Sequence, residues 1–185
     1  PATDEVEVVN YSAGNRKNLT AKVQVLNMDA TVAWEKETNI DSNEDTTNKC
    51  IKLEFPESLS KVHFIKMWLY EDGKLISDNF YHRSFEENNY QDLNTLPAVK
   101  LVSDVKTQKE ADGNWSAVIN VENTSKTPAL MIRINVVGDK DGDQFLPIFY
   151  SDNYFALLPG EKKEIKVTWK DVDTRGNAPV VNITG

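Results

Sequence analysis

The residues of this chain that could do chemistry are few, and most are better explained otherwise. Asp139-Lys140-Asp141-Gly142-Asp143 spaces three carboxylates around a glycine, the kind of oxygen-rich turn that can hold Ca²⁺. A calcium-binding helix–loop–helix needs its glycine at the sixth loop position, a closing glutamate at the twelfth and flanking helices, and none of these is present. A hairpin turn with Asp-Gly at its tip accounts for the same residues. His63 and His82 are the only histidines and Cys50 the only cysteine. There is thus no Cys/His set for zinc and no internal disulfide. No nucleophile elbow or glycine-rich phosphate loop is present, and no cofactor is expected.

Acidic residues number 29, so some pair will always resemble an acid–base couple. Retaining hydrolysis of a glycosidic bond needs two carboxyls about 5–5.5 Å apart in a cleft that admits a sugar ring. Here the acids fall in turns and at alternate strand positions, as on a solvated surface, so the chain is expected to carry no catalytic residue. Four tryptophans could stack on sugars. Trp68 shares phase with Val62 and Phe64, and Trp169 with Ile165 and Val167, which assigns both to cores. Trp34, in phase with Val32, and Trp115, just after the Gly113 turn, remain as candidate sugar contacts. Asn18, Asn114, Asn123 and Asn182 each begin an Asn-X-Ser/Thr triplet, a glycan acceptor only in a eukaryotic secretory route.

The elements that position these residues are strands. Period-two alternation recurs along the chain and helical periodicity hardly at all. The pattern predicts strands over Val6–Asn10, Leu19–Asn27 (with Leu19, Ala21, Val23 and Val25 inward), Thr31–Glu37, Lys49–Phe55, Val62–Tyr70 and Lys74–Tyr81. Further strands are predicted over Val99–Thr107, Asn114–Asn123, Ala129–Val137, Gln144–Phe149, Glu164–Lys170 and Val180–Ile183. Ile51, Leu53 and Phe55 alternate as one apolar face, which puts Cys50 on the other with Lys52 and Glu54; His63 is likewise out of phase with Val62 and Phe64. Turns at Asp72-Gly73, Asp112-Gly113, Asp139–Asp143 and Pro159-Gly160 separate the strands. This is an all-β chain of two tandem immunoglobulin-like β-sandwiches.

Ser84–Asn94 is polar and without alternation, and is assigned as the linker, dividing the chain into 1–93 and 94–185. The halves echo one another: Phe55-Pro56-Glu57 precedes a strand carrying Trp68, and Leu158-Pro159-Gly160-Glu161 one carrying Trp169. Each continues through a turn to a closing strand, as in a tandem repeat.

At −8 the net charge argues against nucleic acid as a partner and against a polybasic membrane contact. No apolar run approaches the length of a membrane helix and no membrane insertion is expected. Pro1-Ala2-Thr3-Asp4-Glu5 is not a signal peptide, so the chain reads as a mature or excised segment.

The most unusual stretch is Phe145–Glu161, where two prolines, a Ser-Asp-Asn corner and many large apolar side chains crowd together. A loop this apolar has to pack on something. Leu146-Pro147-Ile148-Phe149-Tyr150-Ser151-Asp152-Asn153-Tyr154-Phe155, with Leu157-Leu158-Pro159-Gly160-Glu161 after it, resembles the last domain of family 2 glycoside hydrolases of the exo-β-glucosaminidase and β-mannosidase type. Ser77-Asp78-Asn79-Phe80-Tyr81, Tyr90–Asn94 and Leu96-Pro97 resemble the end of their preceding immunoglobulin-like domain, and Val6–Asn10 with Leu19–Leu26 its early strands. Arg175-Gly176 through Pro179–Gly185 resembles the closing strand, cut short.

The resemblance covers nearly the whole chain. It implies a bacterial carbohydrate-metabolising parent, periplasmic or extracellular, whose catalytic (β/α)₈ barrel and carbohydrate substrate are the partners. A barrel alone needs about 250 residues, so no catalytic residue of the family carries over. It also implies that Tyr150, Ser151, Asp152, Asn153, Tyr154 and Phe155 form an interdomain docking loop. Asp152 and Asn153 would fix its turn, with Tyr154 and Phe155 supplying buried area. A carbohydrate-binding module and a surface adhesion array are the alternatives.

Overall fold

The computed structural model describes residues 3–185, which form two compact units, one ending at Leu96 and the other spanning Pro97–Gly185. Among the described residues there is no α-helix; the elements are thirteen strands and two 3₁₀ turns.

In the first unit β1 (Glu5–Asn10) pairs with β4 (Thr46–Lys52) as a two-stranded sheet. This faces a four-stranded antiparallel sheet ordered β3 (Val32–Ser42), β2 (Arg16–Asn27), β5 (Val62–Glu71) and β6 (Lys74–Ser84). The alternating side chains of β2, Leu19, Ala21, Val23 and Val25, are buried between the sheets with Val6, Val8, Ile51, Leu53, Leu59 and Ile65. The polar stretch after β6 is folded rather than loose. A 3₁₀ turn spans Gln91–Thr95, Tyr90 packs edge-on against His82, and Lys61 reaches both Glu86 and Asp92 at 3.6 Å.

Three expectations are corrected here. Cys50 sits at a register shift where β4 carries one extra residue opposite Val6 and Glu7. Such a bulge reverses the side-chain phase, so Cys50 packs against the same core as Ile51, its thiol 3.4 Å from the Val6 carbonyl. Burial pushes that thiol's pKa up. On β5 the core-facing phase is Ile65, Met67 and Leu69, not Val62, Phe64 and Trp68. Both faces of β5 are buried over its first five residues, which is why alternation could not tell them apart. Trp68 consequently lies on the face away from the core, half-buried, with the Lys66 and Lys22 ammonium groups 5.6 and 6.0 Å from its ring.

His63, in the core phase, is buried between Phe55 and Phe85 with ring centroids 5.6 and 4.8 Å away. Burial lowers its pKa below the ordinary value of 6.5, against weaker raising effects of the Lys61 and Ser60 backbone. Below that ordinary value the unfolded chain takes up a proton that the folded chain refuses. Stability is then complete above pH 6.5 and declines as pH falls below it. The melting temperature of the first unit should therefore rise with pH up to the ordinary histidine value, and His63→Phe should flatten that rise.

In the second unit β10 (Ile148–Tyr150), β12 (Lys162–Lys170), β8 (Asn114–Asn123) and β7 (Leu101–Lys109) form one sheet. The other is β11 (Phe155–Leu157), β9 (Ala129–Gly138) and β13 (Pro179–Thr184). Ile119, Val121, Ile132, Ile134, Val136, Ile165, Val167 and Trp169 fill the core. β11, only three residues long, is the strand that alternation missed.

An internal equivalence runs through the two units, though not the expected one. Asn10 ends β1 and Asn123 ends β8, and both are buried. Each side-chain oxygen accepts the backbone N–H of the serine two residues on, Ser12 at 3.2 Å and Ser125 at 3.0 Å. Each amide nitrogen donates to the carbonyl four residues on, Gly14 and Thr127, and to the last carbonyl of a strand in the facing sheet, Ser42 of β3 and Leu157 of β11. The pairings agree: β1 lies beside β4 as β8 lies beside β12, and β2 lies between β3 and β5 as β9 lies between β11 and β13. The Trp68 strand therefore corresponds to β13 and not to the Trp169 strand, so the repeat read from the proline corners is out of register.

Candidate functional site

The Phe145–Glu161 stretch is a crossover between the two sheets of its own unit. Phe145 is buried beneath Trp169, and a cis peptide joins Leu146 to Pro147. Tyr150 pairs with Val167 in one sheet, and Phe155 pairs with Ile132 in the other, so Ser151–Tyr154 must carry the chain across the sandwich. Ser151 holds the first sheet through its N–H to the Lys166 carbonyl at 2.8 Å and its hydroxyl accepting the Lys166 N–H at 2.9 Å. Asn153 then behaves as a rung of the second sheet. Its side-chain oxygen accepts the Ile134 N–H at 2.8 Å while its amide nitrogen donates to the Ile134 carbonyl at 2.9 Å. The same oxygen accepts the Tyr154 N–H at 3.0 Å. Asp152 closes the corner by accepting the Asn153 N–H at 2.8 Å and pairing with Lys163 at 2.6 Å.

This places the six loop residues plainly. Asp152 and Asn153 make side-chain-to-backbone bonds that fix the turn. Phe155 is 7% exposed within the core of its own unit, and Tyr154 is 55% exposed. Tyr150 packs against that core, and burial raises the pKa of its hydroxyl. Much of the apolar character of the loop is thus spent inside the unit. Outward it presents Leu146, Phe149 and Tyr154, together with Met131 of β9, one residue before the partner of Phe155. Tyr154 (φ 57°) and Met131 (φ 53°) both occupy the left-handed region, which costs a side-chain-bearing residue about 1–2 kcal/mol. Replacing Asn153 by alanine should leave the Ile134 N–H and C=O without their partner and lower the stability of this unit by about 2 kcal/mol. Asn153→Asp, which keeps the acceptor, should lose less; denaturant titration compares the two.

The candidate sugar contacts are both half-buried. Trp34 pairs with Val25 and packs against the first core. Trp115 lies parallel to Trp169, centroids 6.1 Å apart, and its Nε1–H donates to Asp171 at 2.7 Å. Lys109 stands 5.8 Å from its ring and pairs with the same aspartate at 2.6 Å. These two hydrogen bonds, that from Lys109 foremost, hold the Asp171 carboxyl below the usual range. What Trp115 offers a sugar is the part of its ring that Trp169 leaves uncovered.

Gly138–Asp143 is a hairpin loop closed by the Val137–Gln144 bridge. Its carboxylates serve its own backbone and its neighbour: Asp141 accepts the Asp143 N–H at 3.0 Å, and Asp139 the Ala178 N–H at 2.9 Å. Among the described residues no group of three or more His, Cys, Asp or Glu is placed to hold a metal.

The residues that sequence reasoning missed are Asn10 and Asn123. The available signal was Val8-x-Asn10-x-Ser12 against Val121-x-Asn123-x-Ser125, a short polar motif at the end of a strand in each half.

Sandwich pairs of this kind, with a sheet-switching loop in the second, define a tandem immunoglobulin-like protein. Residues 79–185 match the exo-β-D-glucosaminidase Ig-fold domain, and residues 4–84 match the mannosidase Ig/CBM-like domain. The first match covers more than half of the chain, which belongs to the exo-β-D-glucosaminidase Ig-fold family. Among similar proteins, the exo-β-D-glucosaminidase of Streptomyces avermitilis is 29% identical over 97% of this chain and 22% of its own length. Those of Arthroderma benhamiae and Hypocrea jecorina are each 26% identical, over 89% and 98% of this chain and 20% and 22% of their own. The exo-chitosanase CsxA of Amycolatopsis orientalis has the same fold, with a TM-score of 0.90 at 24% identity over 98% of this chain and 24% of that one. The β-D-mannosidase of Dictyoglomus thermophilum superposes with a TM-score of 0.60 at 16% identity, over 98% of this chain and 21% of that one. The chain therefore spans only about a fifth to a quarter of the length of the proteins it matches.

Proposed function

We propose that this chain is the non-catalytic accessory part of a longer family 2 glycoside hydrolase that removes glucosamine residues from the end of a polysaccharide. Its two sandwiches support the catalytic (β/α)₈ barrel and shape the rim of the barrel's cleft. The carrying observation is the pattern of coverage: 97% of the chain matches only 22% of an exo-β-D-glucosaminidase. The second unit would meet the barrel through Leu146, Phe149, Tyr154 and Met131, whose exposed side chains surround the crossover. A polysaccharide substrate supports a periplasmic or extracellular parent.

The purified 185-residue chain should not turn over an aryl β-D-glucosaminide, and the full-length product of its gene should. Turnover by the isolated chain would overturn the reading. Calorimetry of the isolated chain against chitosan oligomers separates the accessory role from that of a carbohydrate-binding module, for which Trp34→Ala and Trp115→Ala would abolish the heat.

A further inference from the structure

Arg133 stands exposed on β9, in register with Thr184 of β13. Its guanidinium lies over the Tyr154 ring, 6.0 Å from the centroid. Acidic side chains outnumber basic ones in this chain, 29 to 21. Arg16 and Arg83 each take one of them, Glu71 at 3.2 Å and Asp4 at 2.7 Å. Arg133 has no carboxylate within ion-pair distance among the described residues. Stacking on a ring engages the face of a guanidinium and leaves the N–H groups of its edge free, the fork that fits a carboxylate through two parallel hydrogen bonds. The ring beneath is itself held. Asn153 accepts the Tyr154 N–H at 3.0 Å and bonds both backbone groups of Ile134, the residue after Arg133. Arg133 and Tyr154 are thus braced together as one cationic platform, and Met131, 60% exposed, lies two residues before Arg133 on the same strand.

We propose that Arg133, braced on Tyr154, receives a carboxylate from the catalytic part of the parent polypeptide, whose docking surface is acidic at this point and apolar around it. The proposal rests on the reading of this chain as an accessory part and names the chemistry of the surface it meets. Three observations select that occupant. The chain matches only 22% of the length of an exo-β-D-glucosaminidase, so most of such a parent lies outside it. Met131 and Tyr154 are large, more than half exposed and held in the left-handed region, an apolar rim that would keep water from the ion pair. The charge then discriminates between occupants. A glucosamine polymer carries ammonium groups, which a guanidinium repels. A second copy of this chain would bring a further net charge of −8 against the first, which opposes association. A carboxylate on the parent's own surface meets neither objection, and a forked pair fixes orientation as well as attraction.

Arginine labelling with phenylglyoxal, read by mass spectrometry on the 185-residue chain and on the full-length product of its gene, tests this. Arg133 should react roughly tenfold or more slowly in the longer polypeptide, where the rim excludes solvent. Arg175, exposed and likewise without an ion pair among the described residues, serves as the internal reference. Arg133→Met keeps a long side chain over Tyr154 and removes the charge. It should change the melting temperature of the second unit little in the short chain and lower it by about 8 °C or more in the longer one, where a buried carboxylate loses its partner. Arg133→Lys should recover part of that loss, since lysine keeps the charge and not the fork. Equal reactivity of Arg133 in the two proteins would overturn the proposal. So would an Arg133→Met variant as stable as the unaltered longer polypeptide, which leaves an apolar contact alone, or a dimer of the short chain that protects Arg133, which assigns the platform to a second copy. Turnover of an aryl β-D-glucosaminide by the short chain, or a gene that encodes no longer polypeptide, would instead remove the underlying reading, and the carboxylate partner with it.

Discussion

Asn123→Ala should lower the melting temperature of the second unit by about 10–20 °C and leave the first unit's transition in place. Asn123 is 0% exposed. Its amide holds the Thr127 and Leu157 carbonyls at 2.8 and 3.0 Å, and its oxygen holds the Ser125 N–H at 3.0 Å. Alanine leaves three backbone groups without that partner and opens space where the loop after β8 meets the end of β11. Buried polar groups without partners cost about 1–3 kcal/mol each, partly recovered by relaxation and water, so a net loss of about 3 kcal/mol follows. Asn10→Ala should reproduce the effect in the first unit, where the amide reaches three carbonyls, those of Gly14, Ser42 and Asn43. Calorimetry on both variants reads the two transitions side by side. Equal loss in both transitions from either variant would contradict the assignment of one lock to each unit.

Trp169→Ala should be the most damaging single change in the second unit, at about 4 kcal/mol. The indole is 2% exposed, packs on Phe145 and lies parallel to Trp115, so its removal leaves a large void between the sheets. Trp169→Phe should cost far less, about 1–1.5 kcal/mol. The indole N–H is buried without a hydrogen-bond partner, so phenylalanine sacrifices area and no hydrogen bond. Denaturant titration followed by near-ultraviolet circular dichroism separates the variants. A phenylalanine variant as unstable as the alanine one would show that the nitrogen, not the ring area, matters.

Twelve of the thirteen strands were legible as alternating patterns, because a strand with one buried face must repeat every two residues. The exceptions have local causes. β11 is three residues long and entirely buried, too short to alternate. β5 is buried on both faces over its first half, which erased its phase and sent Trp68 to the wrong side. The bulge at Cys50 shifted phase within one strand, a change that no residue type announces.

The crossover loop divides between the two sources of information. Its turn chemistry was legible, since Ser, Asp and Asn corners bond their own backbone in most settings. Its packing was not. That Asn153 bonds Ile134, and that Phe155 fills the core of its own unit while Tyr154 points out, depends on a partner strand 19 residues away in sequence.

The sequence by itself determined the class: two β-sandwiches of the immunoglobulin type, of the kind found in exo-β-D-glucosaminidases, with no catalytic set expected. Alternation, turn residues and a linear motif are local properties and survive in one dimension. Only the tertiary structure decided which tryptophan faces which core and that Asn10 and Asn123 are the repeated locks. Strand pairing joins residues tens of positions apart, so register cannot be read from any one stretch of chain.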